Sequence, residues 1–208
     1  MRIYIFNSGW LFGWLAAQYP GRMGWIMTPH GMKYPDQRIP YVFDNGVWSD
    51  YINDRKFDEN KFWEKLRLTI SRQKPEWVVV PDMVSDRKQT IYRWERYAPA
   101  MIDLKIPMFM AVQDGMNPND VPKEASGVFV GGSTDWKWRN LNMWTKNFNK
   151  VHVGRVNTYR MLNMANDSGA ESVDGSGWFR GDQDQLAGLE RFLEETTNTK
   201  EKQQELLI

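Results

Sequence analysis

The sequence contains no cysteine and only two histidines, His30 and His152. The lack of cysteine excludes disulfide bonds and thiolate metal sites, and it is typical of proteins from a reducing compartment. Two histidines also argue against a structural zinc site. No stretch reaches the roughly 18 apolar residues of a membrane-spanning helix, and the first residues lack the long apolar core of a secretory signal. We therefore expect a cytoplasmic protein with no metal and no membrane partner.

An excess of charge of either sign is also lacking, because the net charge is +1 over 208 residues. The whole-chain charge therefore indicates no class of partner. One segment differs, since between Ser133 and Arg160 six basic residues stand against a single acid, Asp135. The six are Lys137, Arg139, Lys146, Lys150, Arg155 and Arg160. Such a run is usually a solvated surface, and the alternative is a site for a polyanion.

Short runs with strand character alternate with amphipathic helical stretches along the chain. The predicted strands lie in the runs RIYIF, GWIMTP, IPYVFD, EWVVVPD, PMFMAVQDG, SGVFVGG, KVHVG and AESVD. This alternation indicates βαβ units and a parallel sheet. About eight strands predict a compact (β/α)8 TIM-like barrel of the α/β class, and an open doubly wound sheet is the alternative. We expect one barrel domain over residues 1–196 and a polar C-terminal extension over 197–208.

Most of these predicted strands end in polar residues or glycine. Asp44, Asp82 and Asp174 end three of them. The other strand ends carry Gln113, Gly131, Gly132 and Arg155. Because the carboxyl ends of parallel strands share one face, these side chains are expected to converge on a single site. The alternative is that aspartate and glycine are simply common in turns, and for Asp174 that alternative is an Asx-turn.

Converging carboxylates suit glycosyl chemistry. One carboxylate can attack an anomeric carbon while a second moves protons, because the transition state resembles an oxocarbenium ion. A third carboxylate can accept hydrogen bonds from the edge of a purine-like base. The pair Gly131 and Gly132 would let a flat ring approach the backbone, and the Gly-Ser-Gly after Asp174 would leave room for a sugar.

Six segments occur in an order and spacing that resemble a known superfamily. They are FDNGVWS, VVVPDMVSD, MAVQDG, FVGGSTDWKWR, HVGRVNT and ESVDGSG. Together they resemble the tRNA-guanine transglycosylases, and among them the short phage and bacterial members related to DNA-guanine transglycosylases that insert 7-deazaguanine bases. The resemblance extends over residues 40 to 180.

This resemblance implies a barrel enzyme that exchanges guanine in a nucleic acid for a 7-deazaguanine through a covalent intermediate, without a cofactor. It implies that Asp174 is the nucleophile and Asp44 the general acid/base. It also implies that Asp82 and Gln113 hold the base. The glycine pair would line the base pocket, and Arg155 could hold a phosphate.

The chain departs from the superfamily in two places. It lacks the three cysteines and one histidine of the zinc site that helps engage tRNA, so DNA is the favoured partner. Val47 also replaces a glycine in the FDNGVW segment. An accessory partner protein is left open, and the location is the host cytoplasm if a phage encodes the chain.

Two alternative functions remain open beside this hypothesis. One is a nucleoside or nucleotide glycosyl enzyme, and another is a catalytically silent barrel that binds nucleic acid or protein. His152 is expected to be a satisfied strand histidine. Three tryptophans, Trp136, Trp138 and Trp178, are either packing residues or platforms for a displaced base.

Overall fold

The parallel strands close into a barrel. The computed structural model describes residues 1–6, 9–31, 38–180 and 183–205, with side chains up to residue 197. In these ranges eight strands follow one another in chain order around the barrel, and the eighth pairs in parallel with the first. This closure confirms the predicted (β/α)8 architecture and excludes the open doubly wound sheet.

Each predicted strand run contains a strand. The strands are β1 (Arg2–Ile5), β2 (Met23–Met27), β3 (Tyr41–Phe43), β4 (Val78–Val79), β5 (Met108–Val112), β6 (Gly127–Val130), β7 (Val151–Val153) and β8 (Ser172–Asp174). Because every pair of neighbouring strands is parallel, the polar residues that follow the strands lie at one end of the barrel, the carboxyl-terminal end.

Helices follow most of the strands, although in the described residues none separates β2 from β3 and only a 3-10 turn separates β5 from β6. The helices are α1 (Trp10–Gln18), α2 (Val47–Ile52), α3 (Glu59–Ile70), α4 (Arg87–Ile102), α5 (Thr134–Asn147), α6 (Tyr159–Asp167) and α7 (Gln183–Glu205), with 3-10 turns at Pro118–Asp120 and Gly177–Phe179. Helix α7 continues past residue 197, where the polar extension was expected to begin. No helix in the described ranges is long and apolar enough to cross a membrane.

Local signals explain why α3 begins and packs as it does. The Asp58 side chain caps the helix by accepting a hydrogen bond of 3.0 Å from the Lys61 backbone N–H. The rings of Phe57 and Phe62 lie 5.8 Å apart across this start, as a hydrophobic staple requires. Phe62 and Leu66 are fully buried, so the helix presents one apolar face to the barrel.

The core has two parts. The larger part fills the space between the strands and the surrounding helices. The smaller part fills the barrel interior with Tyr4, Ile26, Val42, Trp77, Val79, Phe109 and Ala111. At the amino-terminal end of the barrel the Arg2 guanidinium lies 2.6 Å from the Glu76 carboxylate.

Candidate active site

A cavity of about 670 Å³ opens at the carboxyl-terminal end of the barrel. Its lining includes all seven residues singled out at the strand ends: Asp44, Asp82, Gln113, Gly131, Gly132, Arg155 and Asp174. The structure thus brings these residues together in one place. The volume falls in the range of small-molecule pockets.

Asp174 ends β8 and is held from two sides. Its Oδ2 lies 3.0 Å from His152 Nε2, and its Oδ1 accepts a hydrogen bond of 3.2 Å from the Arg155 backbone N–H. The residue is only 4% exposed. The alternative Asx-turn is wrong, because the Ser176 N–H donates to Asn157 Oδ1 instead, at 3.0 Å. The carboxylate therefore faces the barrel and its cavity.

The glycines around Asp174 are required by packing. A Cβ added at Gly154 would lie 2.7 Å from the Phe129 ring and 3.3 Å from Asp174 Oδ2. A Cβ at Gly175 would collide with the carbonyl oxygen of Val156. The glycines after β7 and β8 are therefore needed for the loops to pack closely around Asp174.

Asp44 follows β3 and titrates near neutral pH. Burial, together with the smaller effect of the negative charges of Asp174 and Asp82, raises the pKa of Asp44 to about 7. A hydrogen bond of 2.8 Å from the Gly46 backbone N–H to Asp44 Oδ1 opposes this change. A carboxyl with such a pKa can give and take a proton at neutral pH, as a general acid/base must.

Asp82 lies deeper and is held by two amides. Its Oδ1 accepts 2.8 Å from Asn45 Nδ2, and its Oδ2 accepts 2.6 Å from Gln113 Nε2. Burial raises the pKa of Asp82, and the hydrogen bonds from Asn45 and Gln113 oppose that rise. Sequence reasoning missed Asn45, although it lies in the FDNG segment directly after Asp44. These amides fix the direction in which the Asp82 carboxylate faces a ligand.

Gln113 ties together the loops after three strands. Its Oε1 accepts hydrogen bonds from the backbone N–H groups of Ser85, at 3.1 Å, and Gly132, at 3.0 Å. A Cβ at Gly131 would lie 2.8 Å from Gln113 Nε2. Gly132 has a φ of +64°, and a Cβ there would lie 2.5 Å from the Trp136 ring. The glycine pair is thus needed for the approach of Gln113 and Trp136 as well as for any ligand.

Arg155 lies at the mouth of the cavity. Its guanidinium donates to the Gly132 carbonyl oxygen and lies 4.1 Å from the centroid of the Trp48 ring. This stacking is a cation–π contact between the loop after β7 and helix α2. Trp48 is 39% exposed and lines the cavity, as does Phe6, which is 41% exposed. Sequence reasoning missed both aromatic residues.

The three tryptophans considered for stacking are packing residues in the structure. Trp178 is 1% exposed, and Trp136 and Trp138 are partly buried against the core. Trp48 is therefore the better-placed aromatic residue for contact with a ligand at the mouth.

The basic segment does not form one surface. Lys137 is 1% exposed and its Nζ donates to the Gly154 carbonyl oxygen. Burial, together with the nearby positive charge of Arg155, lowers the pKa of Lys137 to about 8. Lys150 directly precedes β7, so it lies at the opposite end of the barrel. The segment therefore does not present all six charges to a single polyanion.

Within the described ranges, no group of three or more histidine, aspartate and glutamate side chains is arranged to hold a metal ion. Comparison of the sequence with models of protein families and with curated proteins finds no match to this chain. The function is therefore argued from the geometry of the site.

Proposed function

We propose that this protein is a transglycosylase that exchanges guanine in nucleic acid, with DNA favoured, for a 7-deazaguanine base. One observation carries the proposal, which is that Asp174 and Asp44 share a cavity but have different surroundings. Asp174 is clamped by His152 and the Arg155 N–H. Asp44 has a pKa of about 7. Pairs of carboxyl groups whose environments differ in this way divide the nucleophile and acid/base roles between them.

In the first step, an oxygen of the Asp174 carboxylate forms a bond to C1′ of the nucleotide as the bond from C1′ to guanine N9 breaks. The protonated Asp44 carboxyl donates its proton to the departing guanine, which leaves as a neutral base. The sugar is then held as an ester of Asp174.

In the second step, the incoming deazaguanine gives the proton on its N9 to the Asp44 carboxylate. Its N9 forms a bond to C1′ as the ester bond breaks, which regenerates the Asp174 carboxylate. Two displacements at C1′ give net retention of configuration. A pKa of about 7 lets Asp44 act as acid in the first step and base in the second.

The base would be held below the mouth of the cavity. Asp82 offers carboxylate oxygens to the N–H groups of a guanine-like edge, and Asn45 and Gln113 keep those oxygens in place. Because both oxygens already accept one hydrogen bond, the ligand uses their remaining lone pairs. A nucleotide reaches this depth only when it is flipped out of a duplex or single-stranded.

A base-exchange assay tests the proposal. The protein is incubated with duplex DNA, single-stranded DNA, tRNA or deoxyguanosine, each with a labelled guanine or 7-deazaguanine. We expect label to enter DNA and expect Asp174→Asn to abolish the exchange. The matched control is Asp103→Asn, because Asp103 is exposed and follows α4 at the far end of the barrel.

The arms of this assay separate the alternatives. Label in deoxyguanosine but not in a polymer would favour the nucleoside enzyme. A DNA adduct on a denaturing gel, formed by the wild type and absent in Asp174→Asn, would assign the nucleophile. Exchange that is equal in Asp174→Asn and the wild type would refute the mechanism. No label in any substrate, with a folded protein, would contradict the proposal and favour a binding barrel.

A further inference from the structure

A buried chain of polar side chains runs from β8 to β7 and back. Ser172 Oγ lies 2.9 Å from His152 Nδ1, and His152 Nε2 lies 3.0 Å from Asp174 Oδ2. The three side chains meet because His152 pairs in register with Ser172, two residues before Asp174. Their exposed fractions are 2% for Ser172, 0% for His152 and 4% for Asp174.

These hydrogen-bonded side chains are the three residue types of a serine hydrolase triad. Here, however, the aspartate and not the serine is accessible from the cavity. Of these three residues Asp174 lines the cavity, and Ser172 and His152 lie beneath it. A nucleophilic serine must reach its substrate, and Ser172 does not. The carboxylate is therefore the reacting end of this chain, and the hydroxyl is its anchor.

The position of the protons on His152 follows from its partners. A carboxylate only accepts hydrogen bonds, so His152 Nε2 must carry the proton that it donates to Asp174. His152 Nδ1 is then free to accept from the Ser172 hydroxyl. The ring packs against Trp77 and Phe129, with centroids 4.9 and 4.7 Å away, and these contacts hold it in one orientation.

We propose that His152 is a positioning residue that aims the Asp174 carboxylate at the substrate. His152 Nε2–H holds one carboxylate oxygen and the Arg155 N–H holds the other. The oxygen that does not form the ester remains an acceptor, so one of these hydrogen bonds persists through the intermediate. This inference rests on the proposed function, and it adds a role for a histidine that the sequence indicated only as a structural residue.

Two variants of His152 test the role by activity. His152→Phe keeps the ring volume but removes the donor, and we expect kcat for base exchange to fall about 100-fold with KM unchanged. His152→Gln keeps an N–H near the position of Nε2, and we expect it to recover at least about 10-fold of that loss. A merely structural role would not separate these two variants in kcat.

Ser172→Ala provides a second test should the buried His152→Phe variant fail to fold. It removes the partner of His152 Nδ1 and leaves the ring in place. We expect kcat to fall about 10-fold, which corresponds to the loss of one hydrogen bond. An unchanged kcat in Ser172→Ala, or in a folded His152→Phe, overturns the inference.

The tautomer of His152 is measured independently of activity by ring nitrogen NMR. The chain has two histidines, so a His30→Gln variant assigns both sets of signals. A proton on Nε2 that responds to Asp174→Ala supports the inference, and a proton on Nδ1 alone overturns it. An inactive wild type would refute the proposed function, while this spectrum would still decide whether His152 donates to Asp174.

Discussion

Replacing Asp44 with asparagine is predicted to stabilise the protein at alkaline pH. The substitution removes the ionisable group but keeps an oxygen that can accept the hydrogen bond from the Gly46 N–H. The gain arises because an ionised Asp44 is held in a partly buried position near two other carboxylates. A loss of stability of this kind is typical of a group that is retained for its chemistry.

The size of the effect follows from the pKa of Asp44. At low pH the Asp44 carboxyl is protonated in both the folded and the unfolded chain, so its burial as an ion does not lower the free energy of unfolding. As pH rises above 3.8 the unfolded chain releases this proton, while the folded chain keeps it until about pH 7. The difference between the pKa of Asp44 in the unfolded chain and in the folded chain lowers the free energy of unfolding by about 4 kcal/mol at pH 8 and by about 0.5 kcal/mol at pH 4.

Urea unfolding of the wild type and Asp44→Asn at pH 4 and pH 8 measures the difference. We expect the variant to be more stable by about 4 kcal/mol at pH 8 and nearly equal at pH 4. Asp103→Asn, an exposed control, should lie within about 0.5 kcal/mol of the wild type at both pH values. Equal stabilities of the wild type and Asp44→Asn at pH 8, or a less stable variant, would refute the reasoning.

Other predictions follow from the same site. The rate of base exchange should fall as pH rises through about 7, where Asp44 loses its proton, and Asp82→Asn should move that fall to lower pH because it removes a nearby negative charge. Gly132→Ala should destabilise the fold by about 1–3 kcal/mol in thermal unfolding, because its φ is +64° and its Cβ meets a ring. Gly13→Ala, in open space in α1, should instead stabilise by about 0.5–1 kcal/mol. The pKa of Lys137 is about 8 rather than 10.5, so the wild type should gain stability relative to Lys137→Met between pH 8 and pH 10 in urea unfolding.

The barrel could be predicted from sequence because the strand and helix patterns alternate regularly. Helices α1 and α2 could not be predicted from the sequence, for local reasons. In α1 apolar residues occur on every side, so Trp10 is 82% exposed while Leu15 is buried, and Gly9 supplies no side-chain cap. Helix α2 has six residues and begins after Gly46, whose φ is +78°. Neither helix shows the periodicity or capping residues by which helices are recognised.

The strand-end residues of the cavity could also be predicted, because parallel strands carry their carboxyl ends to one face. The contacts among them could not. The hydrogen bond between Asn45 and Asp82 joins residues 37 positions apart, and the contact between His152 and Asp174 spans 22 positions. Both contacts depend on the register between neighbouring strands, which the sequence pattern does not determine. Lysine side chains are usually exposed, so the sequence pattern places Lys137 among surface charges, yet the helix turns it inward.

The pairing of β8 with β1 also determines when the cavity forms during synthesis. The ribosome releases β1 to β7 before β8, so the unfinished sheet has two open edges that can pair wrongly or bind chaperones. Asp44 and Asp82 are already present on that nascent chain, but Asp174 arrives with the last strand. Until β8 docks, His152 lies on the open edge of β7 without its carboxylate partner. Docking of a single strand therefore closes the barrel, covers both edges and brings the third carboxylate to the site in one event.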